Sequence, residues 1–280
     1  MYREILEKKF SQLPGSSALD SGILEYIVKH NSAVTYMCSE KFCYECDCTD
    51  YELEQFVAAA GFNDYNKLKD FVKEIINSVD AENGYTVSME DTITRVAEDL
   101  VNIEMGNMLD FRNSLDKKTV LRLVEDIINA PEVVILGTRA SEAVMSYAVY
   151  ILNKIGIRTT KLDAANTNYF DHINNIDRSS LVIAVGFARY PKATIVAASH
   201  LKRKGFKIAS ITDFTRSPLV SLSEYSIILK SSSREFTDSY SAAMLLLNLV
   251  VVTIEKCNKE FVEKKLKEFD EIAFNMDYYI

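Results

Sequence analysis

Three short, largely apolar runs in the second half of the chain each end near a small residue and lead into a helical pattern. They are Val133–Gly137, Leu181–Gly186 and Lys207–Asp213. A continuous apolar run of this length is typical of a strand buried on both faces, as in a parallel sheet covered by helices. The carboxyl ends of such strands form a ligand crevice, where helix amino termini attract anions. The sequence therefore predicts an α/β sheet that binds a small, phosphorylated molecule.

The same alternation of strand and helix patterns extends from residue 113 to the end of the chain. Strands are predicted at residues 133–136, 158–162, 181–185, 207–212 and 225–229. Helices are predicted at residues 117–129, 141–155, 166–174, 191–204, 237–256 and 259–274. Five parallel strands with helices on both faces make a three-layer αβα domain.

The first half of the chain has only helical patterns. Apolar residues recur at helical spacing up to residue 78, and residues 79–89, which are polar and contain Gly84, are interpreted as a linker. A long helical pattern then carries apolar residues from Ile93 to Met108, and it either bridges the halves or packs against a partner chain. The predicted domains are a helical module at 1–78, a linker and bridging helix at 79–112, and the α/β domain at 113–280.

Bulk composition excludes several classes of protein. The net charge of −8 argues against broad, non-specific binding to nucleic acid or anionic membranes. The longest apolar stretch, Ala242–Val252, is interrupted by Asn248 and is shorter than the ~20 residues that span a bilayer. The chain starts without an apolar signal core and has five cysteines, an odd number better suited to a reducing compartment. We therefore expect a cytoplasmic protein with no membrane partner.

Several motifs resemble a known family. The turn Gly137–Ser141 and the I-T-D…S-P-L pattern at Ile211–Leu219 resemble a sugar isomerase (SIS) domain, and residues 236–250 resemble the C-terminal helix of SIS domains in RpiR-type transcriptional regulators. Residues 25–69, which end in the G-F-x-x-[FY]-x-x-L-K pattern at Gly61–Lys69, resemble the helix-turn-helix module of those regulators. The resemblance implies an all-helical N-terminal helix-turn-helix module followed by a SIS domain. Such proteins sense phosphorylated sugars and bind operator DNA, usually as dimers or tetramers.

The resemblance implies a phosphosugar site at the carboxyl ends of the first and third strands. Many SIS domains bind phosphate with an S-x-S-G-x-T loop, but here the loop Gly186–Thr194 lacks both serines. Arg189 is expected to replace them as a bidentate donor, and Pro191 suits the first helical position. The predicted ligand-binding residues are Gly137, Thr138, Arg139, Ser141, Gly186, Ala188, Arg189, Thr194 and Ser239. The alternatives are that the altered pocket is empty, that Arg189 forms a salt bridge within the oligomer, and that Thr138, Ser141 or Ser239 only caps a helix. Thr212 and Asp213, at the end of the fourth strand, are expected to close the turn before Ser217 and Pro218.

The resemblance places the DNA-recognition helix at residues 49–56. The predicted DNA-binding residues are Thr49, Tyr51, Glu52, Gln55, Lys67 and Lys69. However, this helix has three acidic residues and no basic one, and Asp47 replaces the usual turn glycine. Residues 1–80 contain eight Lys and Arg against 14 Asp and Glu, a net charge of −6, whereas phosphate neutralisation supplies most non-specific affinity. A module that keeps its fold but has lost DNA binding is therefore the competing hypothesis.

Two further interpretations are weaker. Sugar isomerases need a base beside the sugar, and Glu142 and His172 are the only candidates near strand ends, so an isomerase or lyase is the less favoured alternative. Cys38, Cys43, Cys46 and Cys48 suggest zinc or redox chemistry, but free cysteines also pack as small apolar residues, and we favour packing. The sequence predicts no metal, cofactor or catalytic residue.

Overall fold

The computed structural model describes residues 2–13, 15, 19–35, 37, 39–82, 89–166, 169–231 and 238–278. The chain divides into two compact units. One comprises Met1–Met105 with Ser232–Asp238, and the other comprises Gly106–Ser231 with Ser239–Ile280. Each unit has its own hydrophobic core.

The first unit is helical throughout its described residues. Its short helices pack apolar faces around Phe10, Phe42 and Phe56, which are fully or almost fully buried. This arrangement confirms the prediction of an all-helical N-terminal region. The helices are α1 (Tyr2–Ser11), α2 (Ser21–Lys29), α3 (Asn31–Val34), α4 (Ser39–Cys46), α5 (Asp50–Ala59), α6 (Tyr65–Glu82) and the beginning of α7 (Met89–Ser114).

The second unit is built on a five-stranded parallel sheet in the order β2-β1-β3-β4-β5. Its strands are β1 (Val133–Gly137), β2 (Thr159–Asp163), β3 (Leu181–Val185), β4 (Lys207–Thr212) and β5 (Tyr225–Ile228). Its helices, after the end of α7, are α8 (Lys117–Asn129), α9 (Glu142–Lys154), α10 (Tyr169–Asn175), α11 (Lys192–Arg203), α12 (Pro218–Leu222), α13 (Ser241–Cys257) and α14 (Lys259–Asn275).

Alternate residues of the central strands enter two separate cores. Val133 and Ile135 belong to a cluster with α8, α9 and α13, whereas Val134 and Leu136 belong to a cluster with α10 and α11. Successive side chains of a strand point to opposite faces, so a strand that is apolar at every position is covered on both sides. The three-layer αβα fold predicted from the apolar runs is confirmed.

Several element boundaries differ from the sequence-based expectation. Val79–Glu82, predicted to start the linker, continue α6, because Val-Asp-Ala-Glu contains no helix breaker. Helix α7 begins at Met89, which was assigned to the end of that linker. Helix α13 begins at Ser241, while the predicted start at residue 237 lies outside the described residues. Helix α12 was not predicted, although Ser217 and Pro218 are a typical cap and first helical position.

Among the described residues, no single helix is long and apolar enough to cross a membrane. The pair α13 and α14 meets the length and composition requirement only jointly, and it is bent by 109° at its break.

Candidate functional site

The loop after β1 brings a glycine, two hydroxyls and an arginine to the carboxyl edge of the sheet. A Cβ atom on Gly137 would lie 2.7 Å from Met145 Sδ and 3.0 Å from the Val185 carbonyl oxygen. Glycine therefore allows α9 to pack closely on the strand ends. Arg139 follows with φ of 56°, a left-handed conformation that costs a non-glycine residue about 1–2 kcal/mol. Backbone strain of this kind is concentrated at functional sites.

The loop after β3 repeats this arrangement on the neighbouring strand. Gly186 allows a close approach of Leu219, whose Cδ1 would lie 2.8 Å from a Cβ at this position. Arg189 has φ of 64°. Both Arg139 and Arg189 are exposed, and neither side chain forms a hydrogen bond or an ion pair within the described part of the chain. The loops that follow two adjacent strands thus each contain an exposed arginine whose backbone is strained.

Two buried threonines connect these loops. Thr138 Oγ1 and Thr194 Oγ1 are 3.0 Å apart, and the residues are 2 % and 1 % exposed. Either hydroxyl can be the donor in this contact, so one of the two hydroxyl protons is not used by it. Thr194 lies in the first turn of α11, so the contact ties the loop after β1 to the start of that helix.

The helices that follow β1 and β3 at this edge lack side-chain caps. Ser141 occupies the N-cap position of α9 and Pro191 that of α11, and neither makes a capping hydrogen bond. Thr138, which precedes the short 3₁₀ turn Arg139–Ser141, makes none either. The expectation that Pro191 is the first helical residue was wrong by one position, since its ψ of 128° is extended. Neither Thr138 nor Ser141 therefore caps a helix through its side chain, contrary to the alternative interpretation.

An aspartate that sequence reasoning assigned only to a turn reaches the loop after β3. The Ala188 N–H donates to Asp213 Oδ2 at 2.8 Å, and the Tyr190 hydroxyl donates to Asp213 Oδ1 at 2.6 Å. Asp213 is 2 % exposed. Burial, and then the Asp213 carboxylate, raise the pKa of the Tyr190 hydroxyl, so it remains a neutral donor. Ala188 is one of the predicted ligand-binding residues, and its N–H donates to an anionic group of the protein itself.

The turn role predicted for Thr212 and Asp213 is also present. Thr212 Oγ1 donates to Ser217 Oγ at 2.8 Å, and Ser217 Oγ accepts from the Leu219 N–H at the start of α12. This chain of hydrogen bonds fixes the backbone beside Asp213. The I-T-D…S-P-L pattern was the sequence signal for both features.

Ser239 lies in the segment that leads into α13. Its hydroxyl accepts a hydrogen bond from Asn107 Nδ2 at 3.1 Å, and it is 6 % exposed. The N-cap position of α13 is Tyr240, so Ser239 is not the helix cap. The Tyr240 ring packs edge-on against Phe187 at a centroid distance of 5.3 Å, which places this segment beside the loop after β3.

The two residues considered for catalysis have unremarkable surroundings. Glu142 is exposed, forms an ion pair with Lys161 and accepts a hydrogen bond from Ser146. His172 is partly exposed on α10. A separate cavity of about 230 Å³ lies beside β5 and the start of α8, and no predicted ligand residue lines it.

The N-terminal unit contains the predicted helix-turn-helix geometry. Helix α4 ends at Cys46, Asp47 adopts φ of 54°, and α5 starts at Asp50. Asp47 therefore takes the left-handed conformation for which glycine is usual. Tyr51 and Gln55 are exposed on α5, Tyr51 by 68 %.

Thr49 and Glu52, also predicted to contact DNA, are engaged with each other. They form a capping box in which Thr49 Oγ1 accepts from the Glu52 N–H and Glu52 Oε2 accepts from the Thr49 N–H at 2.7 Å. Hydrogen bonds from the Thr49 backbone and side chain lower the pKa of Glu52. The box fixes where the recognition helix begins.

The two lysines predicted to touch DNA lie on α6. Lys67 is exposed and lies 3.6 Å from Asp70, an ion pair of little strength at the surface. Lys69 is half-buried, because Lys69 Nζ donates to the Met37 carbonyl oxygen at 3.2 Å and lies over the Tyr65 ring. Only Lys67 is available to a DNA backbone without rearrangement.

The cysteines pack as the sequence analysis favoured. Cys43 is buried in the N-terminal core, and Cys46 and Cys48 pack against it. Burial raises the pKa of all three thiols, that of Cys46 to about 12, which disfavours the reactive thiolate. No group of three or more metal-binding side chains is arranged around a common point among the described residues, which do not include Cys38.

Comparison with known proteins agrees with this architecture. Residues 126–253 match the family model of the SIS domain. An uncharacterized HTH-type transcriptional regulator from Clostridium perfringens is 24 % identical over 253 residues, covering 88 % of this chain and 90 % of that protein.

Two solved structures have the same fold at low sequence identity. The Vibrio vulnificus NanR protein, complexed with ManNAc-6P, aligns with a TM-score of 0.63 at 18 % identity, over 97 % of this chain and 98 % of that chain. The sugar isomerase domain of an RpiR transcription factor from Sphaerobacter thermophilus aligns with a TM-score of 0.61 at 22 % identity, over 63 % of this chain and 99 % of that chain.

The fold and the family match define a protein in which a helical N-terminal module precedes a SIS domain at residues 126–253. More specifically, the chain is similar in sequence to an HTH-type transcriptional regulator over most of its length, and similar in fold to the NanR protein.

Proposed function

We propose that this protein is a transcriptional regulator that binds a phosphorylated sugar through its SIS domain and DNA through α4 and α5. One observation supports ligand binding in particular. Two helices without side-chain caps begin just after adjacent strands, and each follows a loop that contains an exposed arginine, Arg139 or Arg189. Free N–H groups at a helix start attract anions, and guanidinium groups bind phosphate in a bidentate manner. Of the other predicted ligand residues, Gly137, Thr138 and Ser141 lie close in sequence to Arg139, and Gly186, Ala188 and Thr194 lie close in sequence to Arg189. Ser239 directly precedes Tyr240, whose ring packs against Phe187.

The proposal of DNA binding depends on the position of α5 as the second helix of a helix-turn-helix and on the exposure of its side chains. The left-handed Asp47 and the Thr49–Glu52 capping box give a helix-turn-helix with Tyr51 and Gln55 exposed in the first turns of its second helix. The residues at the start of a recognition helix are those that reach base edges. The full-length relative from Clostridium perfringens is named as an HTH-type regulator, which supports the same assignment.

The ligand is tested by thermal shift of the full chain against a panel of sugar phosphates and the matching unphosphorylated sugars. A true ligand raises the unfolding temperature, since binding to the native state adds about 2.7 kcal/mol at a hundredfold excess over Kd. The phosphorylated form of one sugar should stabilise the chain while its unphosphorylated form does not. A panel without any selective stabilisation would contradict the ligand half.

The DNA half is tested by footprinting at low salt on the region flanking the protein's own gene, with and without the ligand found above. We expect a protected site whose occupancy changes with ligand, because the ligand must bind two arrangements of the protein unequally to act as an effector. Tyr51→Ala together with Gln55→Ala should abolish the footprint, while Tyr150→Ala on α9, outside the N-terminal module, serves as a control for loss of an exposed aromatic ring.

A sensor without DNA binding is the second candidate, and one observation favours it. Asp50, Glu54 and Gln55 are exposed along α5 beside Tyr51, and α5 contains no Lys or Arg. Phosphate neutralisation is therefore absent from this helix. Ligand binding in the thermal shift combined with no footprint at any salt concentration would support this candidate.

We propose a homodimer or homotetramer as the working assembly. Helix α7 exposes a series of large apolar side chains, among them Ile93 at 62 %, Val101 at 57 % and Met105 at 56 %. Exposed apolar surface of this kind is typical of an interaction site. Analytical ultracentrifugation measures the assembly, and replacing Val101 and Met105 with Lys should shift it toward monomer.

A further inference from the structure

The loop after β3, where the proposed ligand would bind, already holds a negative charge. Asp213 Oδ2 accepts from the Ala188 N–H at 2.8 Å, and Asp213 Oδ1 accepts from the Tyr190 hydroxyl at 2.6 Å. Both donors lie on this loop, and both carboxylate oxygens are used. The loop thus binds an anionic group, but this group is the side chain of a residue that directly follows the neighbouring strand, β4.

The position of Asp213 is fixed by its backbone. Asp213 follows directly after β4, whose Ile211 carbonyl oxygen accepts from the Gly186 N–H at 3.1 Å, so the β3 loop and the end of β4 stay adjacent. Thr212 is held by Ser217, which caps α12. With the backbone in place, removal of the carboxylate from the loop requires rotation about the side-chain bonds of Asp213, which would also break the 3.4 Å contact from Thr212 Oγ1 to Asp213 Oδ1.

A phosphate group that enters this loop needs the same donors. A backbone N–H makes one good hydrogen bond at a time, so the Ala188 amide cannot serve Asp213 and a ligand together. A ligand anion that binds with Asp213 in place would also bring two negative charges close together. Binding of the ligand therefore competes with an internal contact.

We propose that Asp213 acts as an internal competitor for the anionic group of the ligand and thereby sets which anions the site accepts. This inference rests on the proposed function. A phosphate monoester carries about two negative charges and three acceptor oxygens, and it can engage a guanidinium such as that of Arg189 as well as the loop donors. A monocarboxylate offers no more than Asp213 itself and does not displace it. The site consequently discriminates for phosphorylated over carboxylated metabolites.

The test is a calorimetric titration of the full chain with inorganic phosphate, and separately with acetate. Asp213→Asn keeps the size of the side chain but removes its charge, and it should bind phosphate about tenfold or more tightly than wild type, because the charge that competes with the phosphate and repels it is gone. It should also bind acetate, whereas wild type should not. Asp163→Asn is the matched control, since Asp163 ends the strand β2 at the same edge and caps a different turn through the Ala165 N–H.

Equal phosphate affinity in Asp213→Asn and Asp163→Asn, or weaker affinity in Asp213→Asn than in wild type, would overturn the proposal. A crystal structure of wild type grown with phosphate needs no variant. We expect phosphate to bind at the Ala188 N–H, with the Asp213 carboxylate moved more than 3.5 Å away from that N–H. Phosphate bound beside an unmoved Asp213, or no phosphate at this loop, would contradict the proposal. If wild type binds a sugar phosphate and Asp213→Asn changes nothing, the proposed function stands and only this inference fails.

Discussion

The side-chain oxygens of Thr138 and Thr194 lie 3.0 Å apart, and this contact joins the loop after β1 to the first turn of α11 across 56 positions of sequence. Both residues are buried, so removal of either hydroxyl leaves the other without its partner. An unsatisfied buried polar group costs more than the loss of both partners together.

We therefore expect Thr194→Val to lower the free energy of unfolding of the SIS domain by about 1–3 kcal/mol. Thr138→Val should have a similar effect, and the double variant should be less destabilised than the sum of the two. Urea unfolding of the four proteins gives the coupling energy directly. Additive effects would indicate that the two hydroxyls do not depend on each other.

A second prediction concerns the backbone strain at Arg139. Its φ of 56° is the conformation that glycine adopts freely, so Arg139→Gly removes strain worth about 1–2 kcal/mol while it increases the entropy of the unfolded chain. The unfolding temperature should stay the same or rise slightly, and affinity for the sugar phosphate should fall. Thermal unfolding with and without ligand measures both quantities.

Arg139→Lys is the control for this prediction, because it keeps the charge and the strained backbone. It should retain wild-type stability and lose only the bidentate contribution to binding. A strong loss of stability in Arg139→Gly would mean that the arginine side chain supports the fold rather than the ligand.

The fold was predictable to a greater depth than the site. Every strand of the sheet was expected within about one residue, because a continuous apolar run such as Leu181–Val185 has few alternatives between the turn at Asp177–Ser180 and Gly186. The positions at which the strands end follow from such local patterns. The contact of Asp213 with Ala188 does not, since it joins two loops 25 positions apart through side-chain rotamers that no sequence period encodes.

The same distinction applies to the N-terminal module. The pattern Thr49-x-x-Glu52 is a capping box in sequence, yet the resemblance to helix-turn-helix proteins led to both residues being assigned to DNA contact. The structure shows that these side chains bind each other. Likewise, Lys69 reaches the Met37 carbonyl oxygen 32 positions away, a long-range contact that local charge counting does not include.

The capping box gives a third prediction. Thr49→Ala should destabilise α5 and the N-terminal module by about 1 kcal/mol, because the N–H of Glu52 loses its acceptor. Circular dichroism at 222 nm during urea unfolding measures this loss. Ser21→Ala, a substitution at the first residue of α2, whose cap is Asp20, is the control for removal of a hydroxyl in the same module.

The box should also respond to pH. Because the folded-state pKa of Glu52 lies below its unfolded value, its contribution to stability is present above the unfolded pKa and is lost as the pH falls through the folded pKa. The difference in unfolding temperature between wild type and Glu52→Ala should therefore shrink on acidification from pH 7 to pH 3. A difference that stays constant would show that Glu52 acts without its charge.

The last prediction concerns the acidic face of α5. Glu54 is exposed on the helix proposed to enter the major groove, and no basic residue lies on that helix to offset it. Glu54→Lys should strengthen binding to DNA and steepen the dependence of log K on log salt by about one unit, as expected for one added phosphate contact. Glu4→Lys on α1 makes the same change in net charge elsewhere in the module. If the two variants gain affinity equally, the effect comes from net charge alone and α5 is not the helix that contacts DNA. If only Glu54→Lys gains affinity, α5 lies against the DNA backbone, and the acidic residues of the natural sequence weaken that contact so that binding depends on specific groups such as Tyr51 and Gln55.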